Sequence, residues 1–98
     1  METYKRLIKL LKEQCPLPLP VQVRRVVTPN SLDGDCQKKE DHFRIRIDRT
    51  LPEHEAIETI LHEWAHALIW EHSQMHTNEW GKAYSRVYRV LIKEVLTP

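Results

Sequence analysis

Five residues in the middle of the chain carry the strongest chemical signal: His62-Glu63-Trp64-Ala65-His66. Residues four apart stand one above the other on a helix, so the imidazoles of His62 and His66 can reach one ion. Zinc takes imidazole nitrogens at about 2.0–2.1 Å, and histidines on adjacent turns can supply them. Glu63 falls to one side of the pair. There it can accept a proton from an activated water without being a ligand.

A catalytic zinc usually has three protein ligands and one water. Three residues downstream can supply the third: His72, His76 and Glu79. His72 is expected near the helix end, facing another way. Glu79 suits the first turn of the following helix, where an acid is favoured anyway. His76 comes after a short turn, where the chain can double back, and is the favoured third ligand.

The elements that must position these residues follow from periodicity. Residues 2–14 read as an amphipathic helix on Tyr4, Leu7, Ile8 and Leu11, with Lys5, Lys9 and Lys12 facing away. Pro16, Pro18 and Pro20 end it. A Val-rich strand is expected over 21–28, with a bulge near Arg24-Arg25, then a polar loop over 29–41. Residues 42–48 alternate Phe43, Ile45 and Ile47 with Arg44, Arg46 and Asp48, which is a strand with one wet face. The two strands are expected to pair antiparallel.

The motif helix is predicted over 52–71, with Thr50 and Glu53 as a capping box. Ile57, Ile60, Leu61, Trp64 and Leu68 fall on one face, and the two histidines fall roughly opposite. A last helix over 78–96, capped by Thr77 or Asn78, carries Trp80, Tyr84, Val87, Leu91 and Val95 on one stripe. Tyr84 and Tyr88 are therefore expected to pack the core before assisting at an oxyanion. The predicted fold class is α+β: an N-terminal helix, a small antiparallel sheet or hairpin, then two helices carrying the zinc site in a minimal zincin-like fold.

Composition bounds the rest. The chain has 98 residues, enough for one domain over 1–98. Fifteen Lys and Arg stand against 14 Asp and Glu, a net charge of +1. That balance does not indicate nucleic acid, although a local basic stripe stays open. Cys15 and Cys36 form no C-x-x-C and are expected to stay thiols in a reducing cytoplasm. No apolar run approaches membrane-spanning length and no secretory signal is read, so a cytoplasmic monomer is the expectation.

The stretch His62-Glu63-Trp64-Ala65-His66-Ala67-Leu68, approached through Thr59-Ile60-Leu61 and followed by His76-Thr77-Asn78-Glu79-Trp80, resembles the core of SprT-like metallopeptidases. The resemblance implies His62, His66 and His76 as zinc ligands and Glu63 as general base. It also implies a small sheet and an N-terminal helix around the two motif helices. Larger members, such as the Spartan proteases, cut proteins crosslinked to DNA. That role depends on a zinc ribbon and a DNA-binding tail, so a minimal stand-alone version is the better match.

The implied activity is hydrolysis of peptide bonds in a protein or peptide substrate. The edge of strand 42–48 is the expected substrate rail. Its outward Arg44 and Arg46 read as a solvated face before a site for acidic groups. A second reading is a metal-stabilised binding or regulatory module that cleaves little and acts on DNA-associated proteins. Structural zinc prefers four protein ligands, and the intact Glu63 favours the enzyme.

Overall fold

The computed structural model describes residues 1–71 and 76–96. The order is α1 (Glu2–Gln14), β1 (Val21–Val26), a 3₁₀ turn (Pro29–Ser31), β2 (Gly34–Lys38), β3 (Phe43–Asp48), α2 (Glu53–Leu68) and α3 (Asn78–Val90). A π-helical segment, Leu91–Leu96, continues α3. The α+β class, the N-terminal helix and the two later helices match expectation. Among the described residues no helix is long and apolar enough to cross a membrane.

The sheet corrects the sequence reading. Among the described residues it has three strands in the order β1-β3-β2. β1 pairs β3 in parallel, Val21 opposite Phe43, and no bulge interrupts the register. β2 pairs β3 antiparallel, Cys36 opposite Ile45. The predicted loop over 29–41 thus contains a strand that reverses the chain once more, and β3 returns parallel to β1. Gly34-Asp35-Cys36-Gln37-Lys38 has low strand propensity, so it was not visible in the pattern.

Cross-strand polar pairs hold β2 in place. Arg46 donates to the Asp35 carboxylate, its Nε at 2.9 Å from Oδ1, and Arg44 donates to Gln37 Oε1. The outward arginines of β3 are therefore engaged within the sheet. β3 is also the central strand, so the substrate rail expected on it is not an edge; the edges are β1 and β2.

Gly34 is needed for this arrangement. A Cβ there would lie 2.7 Å from both the Arg46 carbonyl oxygen and Thr59 Cγ2. Only glycine lets the start of β2 come so close to α2.

α2 packs on β2 and β3 and against α1 and α3. That explains why Ala56, Ile60, Leu61, Trp64, Ala65 and Ala67 are all buried along it. Trp64 has no exposed surface, and its indole N–H donates to the Cys15 carbonyl at 2.8 Å, tying α2 to the end of α1. Leu7 and Leu11 of α1, Ile45 and Ile47 of β3, and Val87 of α3 complete the core. Cys15 and Cys36 are both free thiols, and burial pushes Cys36 up to about 12.

The expected capping box does not form. Pro52 occupies the N-cap of α2, with no side-chain cap. The Thr50 hydroxyl and amide donate instead to Asp48 Oδ1, at 2.6 and 2.8 Å. A charged acceptor two residues away outcompetes the helix start. Glu53 accepts from the Tyr4 amide at 3.2 Å, so it satisfies a free N–H in the first turn of α1. Thr77 does cap α3, accepting from the Trp80 amide at 3.3 Å.

Candidate metal centre

α2 presents His62 and His66 one turn apart on the side that faces α3. His76 lies just before α3 and closes the set. The three Nε2 atoms form a triangle with each side 3.2 Å. A tetrahedral ion with nitrogens at about 2.0–2.1 Å separates its donors by about 3.3 Å. Three imidazoles cannot bond one another well around such a triangle, because each N–H would be shared at a poor angle. The donor set and its spacing therefore fit a metal ion.

Electrostatics agree with that fit. Burial lowers the pKa of His62, with His76 adding to the effect. Burial first, then His62 and His76, push His66 down to about 4. Neutral imidazoles, with lone pairs available, are the forms a metal needs. Glu63 is buried beside them, and burial, helped by the Asp35 charge, raises its carboxyl to about 7.

Of the other sequence candidates, Glu79 is exposed on α3 and outside the triad. His72 lies outside the described residues. The structure brings together His62, His66 and His76, with Glu63 alongside.

The centre opens into a cleft of about 590 Å³ lined by Asp33, Gly34, Glu58, Thr59, His62, Glu63, Trp80 and Tyr84. Three parts of this lining were not anticipated. Asp33 and Gly34 come from the predicted loop, carried in by β2. Trp80 lies over the triad, its ring centroid 5.0, 5.6 and 4.5 Å from those of His62, His66 and His76. Tyr84 stacks on Trp80 at 5.0 Å and packs against the core, as its periodicity predicts, while also lining the cleft. The signal for both was present: Trp80 follows His76 by four residues, and Tyr84 follows Trp80 by four.

The fold and the triad define an α+β protein with a three-histidine site able to hold a metal ion. The chain belongs to the SprT-like family, whose model matches residues 4–95. Membership is consistent with a metallopeptidase-like enzyme. No curated protein and no solved structure gives a match.

Proposed function

We propose that the protein is a zinc-dependent peptidase, with His62, His66 and His76 as the metal ligands and Glu63 as the general base. The observation that carries this reading is the buried Glu63 carboxyl in the cleft lined by His62, whose imidazole converges with those of His66 and His76. A closed structural site has no use for an acid in that place. Zinc is the metal of choice for an all-imidazole, three-ligand set with an open position, and when bound it supplies Lewis acidity and lowers the pKa of water towards about 7.

The chain's own residues do the remainder. Glu63 takes the proton from the attacking water and returns it to the leaving amine. Trp80 shields the imidazoles from solvent on the α3 side. Among the described residues β2 is an edge strand, and its first residue, Gly34, lines the cleft, so the rail for an extended substrate belongs on β2 and not on β3. The expected substrate is a protein or peptide, and the expected setting is a cytoplasmic monomer.

The test is hydrolysis of an unfolded polypeptide such as casein by the zinc-loaded protein. Glu63→Gln is expected to keep its metal and lose turnover by at least about a hundredfold. Unchanged turnover in that variant would remove Glu63 from the role of base.

A further inference from the structure

Trp80 and Tyr84 line the cleft, but the aromatic surface does not stop there. Tyr84 stacks on Trp80 with ring centroids 5.0 Å apart and planes at 27°. Tyr88 stacks on Tyr84 at 5.9 Å and 25°. Tyr88 is 38% exposed, and the four-residue spacing continues to exposed Ile92 and Leu96. A row of three stacked rings therefore leads from the metal centre out along α3, and Ile92 and Leu96 lie beyond it in the π-helical segment.

Core packing does not account for the outer part of this strip. The residues of α3 that enter the core are Ala83, Val87 and Val90, on a neighbouring face of the helix. A second shallow depression, about 320 Å³, lies beyond the cleft and is lined by Tyr84, Ser85, Tyr88 and Arg89. Tyr84 borders both spaces and joins them.

Stacking decides what this strip can take. Tyr84 has Trp80 against one side and Tyr88 against the other, so its faces are already covered. Single-stranded nucleic acid binds aromatics by stacking bases on open ring faces, which Tyr84 lacks. The apolar C–H edges of the rings and the outer face of Tyr88 remain, and this surface suits aliphatic side chains. The geometry also suits an extended chain. Side chains on one side of such a chain repeat every two residues, about 6.6–6.8 Å, longer than the ring steps of 5.0 and 5.9 Å, so two such side chains fit along the row of three rings.

We propose that Trp80, Tyr84 and Tyr88 form a specificity track that binds large apolar side chains of an extended polypeptide on one side of its scissile bond. This rests on the peptidase reading, because a chain cut beside Glu63 must pass along this wall. It assigns the enzyme a preference for unfolded segments that expose leucine-like residues.

The experiment measures binding apart from cleavage. Zinc-loaded Glu63→Gln protein is titrated, by fluorescence anisotropy, into a labelled decapeptide alternating Leu and Ser, an all-Ser decapeptide, and a labelled oligothymidylate. The Leu peptide is expected to bind at least about tenfold tighter than the all-Ser peptide, from apolar surface buried on the rings. Adding Tyr88→Ala, an exposed change that leaves the core intact, is expected to cut that preference about threefold or more, and Tyr84→Ala to cut it further. Zinc content and circular dichroism should stay unchanged in Tyr88→Ala.

Equal binding of the two peptides, or a preference unmoved by both substitutions, would overturn the track. So would oligothymidylate binding that depends on Tyr88. Hydrolysis of both peptides at equal rates by the unsubstituted protein would defeat the track and leave the peptidase standing. Selective binding without hydrolysis would do the reverse.

Discussion

Two of the three tryptophans, Trp64 on α2 and Trp80 on α3, do opposite work. Trp64 lies between α2 and α1 with no exposed surface, and its N–H is bonded to the Cys15 carbonyl. Trp80 lies between α2 and α3, half-buried over three imidazoles, and its N–H has no protein partner. Both sit on apolar stripes with helical spacing. One side of α2 is a dry core in which the Trp64 N–H is bonded and only the Tyr4 hydroxyl, among the described residues, lacks a partner. The other holds unpaired polar atoms, including Nδ1 of His66, and opens into the cleft. Unpaired buried polar groups cost stability, and the two that stand together, on His66 and Trp80, lie at the triad, where the fold gives up stability for function.

The comparison can be broken at several points. The largest effect is expected from Trp64→Ala, at about 3–5 kcal/mol, because it empties the core and strands the Cys15 carbonyl. Chemical denaturation should show the same loss with and without zinc. His66→Ala should behave in the opposite way. It should leave the metal-free protein nearly as stable, because Nδ1 has no bond to lose, yet weaken zinc binding by more than the roughly 10–100-fold typical of outer-shell changes. If His66→Ala unfolds the metal-free protein, the two sides of α2 are less distinct than claimed.

Gly34→Ala is expected to cost about 1–3 kcal/mol, since the new methyl meets backbone at Arg46 as well as Thr59. A calorimetric melt measures it, and no loss would mean that β2 can move away from α2. Gly81→Ala should act in the other direction. Gly81 lies inside α3 with open space around it, so alanine should add about 0.5–1 kcal/mol through helix propensity.

The smallest effect belongs to Asp48, at the entry to α2. Hydrogen bonds from Thr50 and then Thr28 hold its carboxyl well below the usual carboxylate range. A depressed folded pKa gives stability that is present above about pH 4 and lost as pH falls further. Stability measured from neutral pH into acid should therefore fall less steeply in Asp48→Asn.

How much of this the sequence revealed depended on the kind of signal. His62, Glu63 and His66 were legible because metal binding demands a fixed spacing on a helix. α1, β3 and the Thr77 cap were legible from periodicity and capping chemistry. β2 was not, because its strand is held by Asp35–Arg46 and Gln37–Arg44 pairs formed across the sheet and not by its own apolar pattern. Missing β2 also reversed the expected direction of β1 against β3. Thr50 was misread because a cap and an Asp48 partner compete for one hydroxyl, and spacing alone does not rank them. Trp80 and Tyr84 fit a core stripe and a cleft wall equally well until the position of His76 is known.

Zinc titration of the metal-free protein measures whether His62, His66 and His76 hold a metal together. One zinc per chain is expected, with affinity lowered by at least about a hundredfold in each of His62→Ala, His66→Ala and His76→Ala. Failure to bind zinc, or undiminished affinity in His76→Ala, would contradict this expectation.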